Sequence, residues 1–231
     1  MFESDPIIQY GAGTGWPYAE RPFPWKSEKA ITFVQCANWI DVYLDKDVPI
    51  TRAMVLLFMF HETRFSNIRQ VLKSGNPGDG VGLAQIEPMN SDKPEFFKAV
   101  YGIESQNNPQ LIEALLRNPV TSIRVQCDYY KFKKQKGVDG MRGMVMAQVG
   151  GKTQNAPLVQ VFMEAEPNLS AAMRGQTDRT AVIKALNDCS YAVAPGTKTG
   201  VAPMKVPALQ YKRYWDFTLP EGTNLIMELR K

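Results

Sequence analysis

The sequence predicts a mainly α-helical protein, and three observations support that class. Apolar residues recur at helical spacing through most of the chain, helix start signals such as Asn-Pro recur, and the alternation typical of strands is scarce. The 231 residues are 44% hydrophobic and 22% charged, which is ordinary for a globular protein and sufficient for a sizeable core. Because no internal repeat or low-complexity tract divides the chain, we expect a single domain over residues 27–231.

An N-terminal arm precedes this domain. Residues 1–26 are rich in proline, glycine and aromatic side chains, and this composition predicts an extended arm rather than a helix. Residues 11–15 (GAGTG) superficially resemble a dinucleotide-binding loop, but neither a preceding strand nor a following helix is predicted. A nucleotide site in the arm is therefore disfavoured.

The first two helices follow the arm. Helical spacing begins at Ser27, a candidate N-cap, and continues to about Leu44. A second helix opens at Pro49 and runs through residues 53–62 (AMVLLFMFHE). This helix is apolar on all sides, which predicts a central position in the core. A carboxylic acid, Glu62, stands at its carboxyl end.

The rest of the chain alternates loops with further helices. A glycine-rich loop with a short hairpin is predicted over residues 74–88 (SGNPGDGVGLAQIEP). Asn-Pro pairs at Asn108 and Asn118 signal two helix starts, and Asp139 is a candidate cap for another. Helices are predicted over residues 94–101, 109–117, 119–137, 140–149, 158–164, 169–173, 180–187 and 209–215.

The charge distribution limits the classes of partner. The net charge of +4 is mildly basic, which suits an anionic polymer without selecting nucleic acid, cell wall or membrane surface. The densest basic run, residues 131–136 (KFKKQK), falls at a predicted helix end, where cations are favoured. We interpret it as a solvated helix face and expect no nucleic-acid partner. The longest apolar run is too short to cross a bilayer, so we expect no membrane span.

The cysteines and the histidine do not indicate a metal site. The three cysteines, Cys36, Cys127 and Cys189, are widely spaced, which indicates neither a zinc site nor a disulfide framework. Cys36 and Cys127 lie on apolar helical faces and are expected to be buried thiols. His61 begins a stretch similar to HExxH, but it is the only histidine, so a zinc site with two histidines cannot form. We expect no metal and no cofactor.

The position of Glu62 suggests acid catalysis. The helix dipole disfavours an acid at the carboxyl end of a helix, and partial burial disfavours its charged form again, so we expect a raised pKa. A carboxylic acid that stays protonated near neutral pH can protonate an acetal oxygen. The alternative is that Glu62 faces water, paired with Arg64. The glycine-rich loop that follows favours the catalytic interpretation.

Two stretches resemble signatures of the soluble-type lytic transglycosylases and goose-type lysozymes. In that family an acid closes a helix and is followed by a small hydroxyl residue, a polar residue and an aromatic one, as in residues 62–65 (ETRF). The family loop reads Gly-x-Gly-Leu-Met-Gln-hydrophobic-x-Pro. Residues 80–88 (GVGLAQIEP) are similar to it, with Ala84 in place of Met.

Further stretches extend the resemblance over residues 45–215. Residues 118–123 (NPVTSI), followed by Tyr129 and Tyr130, match a helix opening that leads to a tyrosine-containing turn. Residues 147–151 (AQVGG) are the best counterpart of the family's Ala-Tyr-Asn-Ala-Gly, but they lack both the Tyr and the Asn that contact substrate. The family's late tyrosine corresponds to Tyr211 or Tyr214.

The resemblance implies a lysozyme-like fold and cleavage of the β-1,4 bond between N-acetylmuramic acid and N-acetylglucosamine in peptidoglycan. Glu62 would be the catalytic acid and then the base. It would form a 1,6-anhydromuramyl product, which we favour, or a hydrolytic one. Asp79, Glu87 and Asp92 lie near it in the sequence, but none is singled out as a second carboxylate. The implied substrate-binding residues are Thr63, Gly82, Leu83, Gln85, Tyr130 and Gln148.

The N-terminal residues bear on where the protein acts, and residues 147–151 leave an alternative to an enzymatic function. The given N-terminus lacks the basic and hydrophobic segments of a signal peptide, so we expect a phage virion enzyme or a secretion-system accessory enzyme acting in the host cell envelope (periplasm). The arm over residues 1–26 would contact the virion or secretion apparatus. The alternative is a non-catalytic glycan-binding or structural module that retains the fold, which the altered residues 147–151 favour.

Overall fold

The computed structural model of the protein describes residues 33–63, 65, 67, 69–71, 77–149, 156–174 and 186. The predicted arm, Ser27, Arg64, Cys189, the predicted helix over 209–215 and both candidate late tyrosines lie outside the described residues. The described part contains seven helices and two strands: α1 Phe33–Tyr43, α2 Arg52–Thr63, β1 Arg69–Val71, β2 Pro77–Val81, α3 Lys93–Tyr101, α4 Pro109–Arg117, α5 Pro119–Gln135, α6 Gly140–Gln148 and α7 Ala156–Arg174. The protein is therefore mainly helical, as predicted.

Helix α2 is the centre of the core, because it is apolar on every side. Its eight residues from Ala53 to Phe60 are all buried, and it packs between α1 and α7. Each large apolar side chain buried in this way contributes about 1.5–3 kcal/mol relative to exposure. Since no face of α2 meets water, only its two ends reach the surface region of the molecule. Glu62 lies at one of these ends.

Helix α5 is the second organising element, and it contacts α1, α3, α4 and α6. Its start follows the predicted signal, because the Asn118 side chain accepts hydrogen bonds from the backbone N–H groups of Val120 (3.0 Å) and Thr121 (3.3 Å). The start of α6 is likewise capped by Asp139, which accepts from Gly140 N at 2.8 Å. Asn108 precedes α4 as predicted but makes no cap, and its side chain instead donates to the carbonyl of Glu104.

Helix α7 corrects the prediction of two helices over 158–164 and 169–173. It runs without a break through Pro167, which removes one backbone donor from the ladder. Tertiary packing outweighs that loss, because Phe162 and Leu169 are both fully buried on the face toward the core. The buried carboxylate of Glu166 also accepts hydrogen bonds from Thr51, before α2, at 2.8 Å and from Ser170, one turn further along α7.

The predicted hairpin is present, and it begins before the expected residues. Strand β1 pairs with β2 in antiparallel register, with an irregularity between Arg69 and Val71. Past β2, Val81 and Ile86 exchange two backbone hydrogen bonds of 2.9 and 3.0 Å. This bridge closes residues 82–85 into a tight loop, which we call the GLAQ loop.

The basic run at the end of α5 is neutralised by neighbouring elements. Each of its four lysines is in an ion pair with a carboxylate from another part of the chain. The pairs are Lys131 with Asp45 (2.6 Å), Lys133 with Asp92 (2.7 Å), Lys134 with Asp47 and Lys136 with Glu95. The run is thus a set of links between α5 and its neighbours as well as a solvated face.

Two further expectations concern the cysteines and the membrane. Cys36 and Cys127 are buried as predicted, and burial raises the pKa of both thiols. Among the described helices, none combines the length and the apolar character that crossing a bilayer requires.

Candidate functional site

Glu62 lies in the last turn of α2, and its side chain is half-buried. The helix places this carboxyl group at the end of the core rather than on a lateral surface. The preceding residue, His61, is also half-buried and presents its ring edge-on to Phe162, with the centroids 5.4 Å apart. The following residue, Thr63, is fully buried and ends the helix.

The GLAQ loop is held against this helix end by hydrogen bonds from two directions. The Thr63 hydroxyl lies 2.9 Å from the carbonyl oxygen of Leu83 and 3.0 Å from that of Met59, so it bridges the loop and its own helix. From the opposite side, the Leu83 N–H donates to the Ser122 hydroxyl in the first turns of α5, at 3.1 Å. The loop is therefore clamped between the carboxyl end of α2 and the amino end of α5.

Gly82 is required by this clamp. Its φ of 82° lies in the left-handed region, which side chains rarely adopt. A Cβ atom at this position would stand 2.5 Å from Ser122 Oγ and 3.1 Å from the carbonyl oxygen of Leu116. The absence of a side chain thus lets the loop backbone approach α5 closely.

Gln85 ends the loop in a conformation unusual for a residue with a side chain. Its φ is 48°, and its side-chain nitrogen, Nε2, donates to the carbonyl oxygen of Gly82 at 2.9 Å. A non-glycine residue in the left-handed region costs about 1–2 kcal/mol, and such strain persists where surrounding contacts enforce it. Phe65, just after α2, has a φ of 61° and is fully buried against Phe60. Two strained residues therefore flank the junction of α2 and the loop.

Tyr130 and Gln148, both expected to bind substrate, meet across α5 and α6. Tyr130 is fully buried, and its hydroxyl donates to Gln148 Oε1 at 3.3 Å. Burial raises the pKa of Tyr130, Cys127 adds to the increase, and the nearby amide of Gln126 opposes it. The charge of Glu62 also raises this pKa, so the phenol and the carboxyl group lie within electrostatic reach of one another.

Sequence reasoning assigned no role to Ser122 or Gln126. Gln126 is buried and donates its amide to Gln148 Oε1 at 2.9 Å. Ser122, Gln126 and Tyr130 follow each other at intervals of four, so they share one face of α5. Polar residues at this spacing in a buried helix were the signal that could have identified them.

Tyr129 and Tyr130 lie inside α5, as the predicted helix over residues 119–137 requires. Tyr129 belongs to a separate network, in which its hydroxyl donates to Asp92 at 2.8 Å and accepts from Lys93 at 2.9 Å. The two adjacent tyrosines therefore face different groups.

The three acids considered as second carboxylates have different surroundings. Asp92 accepts from Tyr129 with one oxygen and from Lys133 with the other, so both of its oxygens are engaged. Asp79 is exposed on β2. Glu87 is half-buried and accepts a hydrogen bond from Asn90.

A separate cavity of about 400 Å³ lies at the other end of α2. It is lined in part by Thr51, Arg52 and Arg174. Ten residues of helix separate Arg52 from Glu62, which corresponds to about 15 Å. This cavity is therefore not part of the arrangement around Glu62.

Within the described part of the chain, no group of three or more His, Cys, Asp or Glu side chains is arranged to hold a metal ion. Comparison of the chain with known protein families, with curated proteins and with solved structures finds no match.

Proposed function

We propose that the protein has a lysozyme-like fold and cleaves the β-1,4 bond between N-acetylmuramic acid and N-acetylglucosamine in peptidoglycan. Glu62 is the general acid and base of this lytic transglycosylase. The observation that carries the proposal is the clamp, in which Thr63, the neighbour of Glu62, binds the backbone of Leu83. The two stretches that resemble the family signatures are far apart in the sequence, and this contact joins them.

The chemistry requires one proton donor beside a glycan groove. Glu62 protonates the glycosidic oxygen as the bond to the anomeric carbon of N-acetylmuramic acid breaks and positive charge develops on the sugar. The resulting carboxylate accepts the proton of the C6 hydroxyl, whose oxygen attacks the anomeric carbon and closes the 1,6-anhydro ring. Glu62 is then protonated again, and no water is consumed.

This intramolecular route agrees with the surroundings of the other acids. A hydrolytic enzyme that inverts configuration uses a second carboxylate to activate water. Asp92 is poorly suited to that task, because both of its oxygens already accept hydrogen bonds from Tyr129 and Lys133. The anhydro product is therefore the favoured one.

The loop residues have distinct roles in this proposal. Gln85, half-buried at the end of the GLAQ loop, contacts the sugar, and Gln148 does so from the end of α6. Thr63, Leu83 and Tyr130 are fully buried, so they hold the groove rather than line it. Gly82 allows the loop to approach α5 closely enough to form the wall.

Clearing of a cell-wall suspension tests the function. Wild type should reduce the turbidity, and Glu62→Gln should reduce the rate by at least about a hundredfold, because it removes the acid. The control is Glu164→Gln, which makes the same change of charge at an exposed position of α7 and should clear like wild type. Equal clearing by wild type and Glu62→Gln would exclude Glu62 from the mechanism.

Mass analysis of the released muropeptides separates the two possible products. An anhydro product weighs one water less than the product with a reducing end. We expect the anhydro form to predominate. A predominance of reducing ends would contradict the intramolecular route while leaving Glu62 as the acid.

A non-catalytic glycan-binding module is the second candidate. The observation in its favour is that residues 147–151 lack the Tyr and Asn of the resembling family. It predicts that wild type sediments with insoluble peptidoglycan but leaves the turbidity unchanged. Binding without clearing would therefore select this candidate.

A further inference from the structure

The helices α5 and α6 are joined near Glu62 by three polar side chains, Gln126, Tyr130 and Gln148. Gln126 and Tyr130 are 1% and 0% exposed, whereas Gln148 is half-buried and lies at the end of α6. Gln148 Oε1 accepts from Gln126 Nε2 at 2.9 Å and from the Tyr130 hydroxyl at 3.3 Å. The Gln126 amide and the Tyr130 hydroxyl therefore meet at the same oxygen atom of Gln148.

These two hydrogen bonds determine which way the Gln148 amide faces. A carbonyl oxygen has two lone pairs, and both of those on Gln148 Oε1 meet donors from the buried face of α5. The N–H₂ group must therefore face away from α5, toward the accessible side. Among the described residues, no acceptor for this N–H₂ group is found. The partly exposed end of Gln148 is thus a hydrogen-bond donor.

We propose that Gln126 is a positioning residue, which holds the Gln148 amide with its N–H₂ group outward to bind an oxygen acceptor of the glycan. The acceptor is an acetamido carbonyl or hydroxyl oxygen of the sugar chain, and its identity as a sugar rests on the proposed function. The motif AQVGG lacks the family's Tyr and Asn. Gln148, oriented by a buried partner on another helix, supplies a polar contact in their place.

A glutamine at position 126 matters because it is a donor. A carboxylate there can only accept, so Gln126→Glu would draw the Gln148 N–H₂ group inward and turn the carbonyl oxygen outward. The substrate oxygen would then meet an acceptor. Low pH should reverse this, since a protonated carboxyl group can donate again. The titratable groups whose charges act on the pKa of Tyr130 are Cys127 and Tyr129 on α5 and Glu62 on α2.

The test compares Gln126→Glu with Gln135→Glu, which makes the same change at an exposed position of α5. Steady-state kinetics use soluble strands of alternating N-acetylglucosamine and N-acetylmuramic acid between pH 4 and 8. At the upper end, Gln126→Glu should raise KM about tenfold with kcat nearly unchanged, because a ground-state contact is lost. The ratio of its KM to that of wild type should fall toward one as the pH falls. Gln135→Glu should match wild type throughout.

A second measurement reports the orientation without activity. Solvent exchange of the Gln148 side-chain N–H₂ protons is followed by nuclear magnetic resonance, and the signals are assigned by their loss in Gln148→Ala. The exchange should be fast in wild type and at least about tenfold slower in Gln126→Glu at neutral pH. Slow exchange in wild type, or an unchanged KM when the exchange has slowed, would overturn the proposal.

A replacement variant and the activity of wild type cover the remaining outcomes. If Gln126→Glu does not fold, Gln126→Met removes one of the two donors to Gln148, and KM should rise about fivefold. An unchanged KM would again overturn the proposal. A wild-type protein that cleaves no glycan would instead refute the proposed function, and the exchange rates would still decide how Gln148 is held.

Discussion

Leu83 is the residue at which the candidate site and the core meet. Its side chain is fully buried, its carbonyl oxygen accepts from Thr63, and its N–H donates to Ser122. A buried backbone group without a partner costs about 1–3 kcal/mol, so each of these two side chains satisfies a group that would otherwise be left unpaired. The same two contacts hold the loop beside Glu62.

Gly82→Ala should be more destabilising than the same change at a matched glycine. Both Gly82 and Gly102 have positive φ, of 82° and 68°, but only Gly82 has atoms within 4 Å of an added Cβ. We expect Gly102→Ala to lower the free energy of unfolding by about 1–2 kcal/mol, and Gly82→Ala by about 3 kcal/mol, because overpacking adds to the strain. Urea unfolding measures the difference.

The two glycine variants should also differ in activity. Gly82→Ala should slow wall clearing well beyond its effect on folding, whereas Gly102→Ala should clear like wild type once folded. Equal free energies of unfolding for the two variants would contradict the close approach of the loop to α5.

Helix α2 has different tasks at its two ends. At the amino end, Thr51 accepts from Met54 N and donates to the buried carboxylate of Glu166. At the carboxyl end, Thr63 donates to Leu83. The helix between them is buried on all sides. Its amino end is hydrogen-bonded to α7, and its carboxyl end is hydrogen-bonded to the GLAQ loop.

Thr63→Val and Thr51→Val form a matched pair that separates stability from function. Each removes one hydroxyl of nearly unchanged volume, and each should lower the free energy of unfolding by about 1–2 kcal/mol. Only Thr63→Val should slow wall clearing, because Thr63 binds the loop beside Glu62 whereas Thr51 lies at the other end of α2. Clearing rates and urea unfolding are measured on the same preparations, and a parallel loss of clearing in both variants would contradict this assignment.

The start of α3 and the end of α5 are joined by a pH-dependent network around Asp92. Burial opposes ionisation of this carboxyl group, but hydrogen bonds from Lys133 and Tyr129, with the charges of Lys133 and Lys93, lower its pKa below the ordinary 3.8. Because the folded pKa is the lower one, the carboxylate stabilises the fold above about pH 4. This contribution is lost as the pH falls through the folded pKa.

Asp92→Asn should therefore lower the free energy of unfolding at pH 7, by about 1.5 kcal/mol. The difference from wild type should shrink as the pH falls below 3.8. Asp47→Asn is the control, since the hydrogen bond from Lys134 also lowers the pKa of Asp47, but this pair is exposed and its effect should be small. Thermal unfolding across pH 2–7 measures both, and a constant difference for Asp92→Asn would refute the linkage.

At the scale of the molecule, the described residues share an apolar core that extends from α1 through α2 to α7 and supports the site. Phe162 of α7 is fully buried, with its ring 4.5 Å from that of Phe58 and 5.4 Å from that of His61. His61 precedes Glu62, so α7 supports the carboxyl end of α2 from one side. The GLAQ loop supports it from another.

Phe162→Ala should cost about 3–5 kcal/mol of unfolding free energy, because it leaves a cavity between α2 and α7. The neighbouring Met163 is only half-buried, so Met163→Ala should cost clearly less. Denaturant unfolding gives both values. Similar costs for the two substitutions would contradict the position of Phe162 in the shared core.

Several features follow from local signals, and the sequence alone predicts them. Asn118 and Asp139 cap helices because a side chain one to three residues away from the orphan N–H groups can reach them in any fold. The central position of α2 follows from its apolar faces, and the hairpin follows from glycine and proline spacing. The position of Glu62 at the carboxyl end of that helix is predicted in the same way.

Other features depend on residues far apart in the sequence, and only the tertiary structure decides them. The continuity of α7 through Pro167 depends on packing against α2, which outweighs a local helix breaker. The clamp from Thr63 to Leu83 to Ser122, and the hydrogen bond from Gln126 to Gln148, join residues 20–39 and 22 positions apart. Periodicity shows which face of a helix is polar. Which partner that face meets is determined by how the helices pack, because hydrogen bonds require distances near 3 Å.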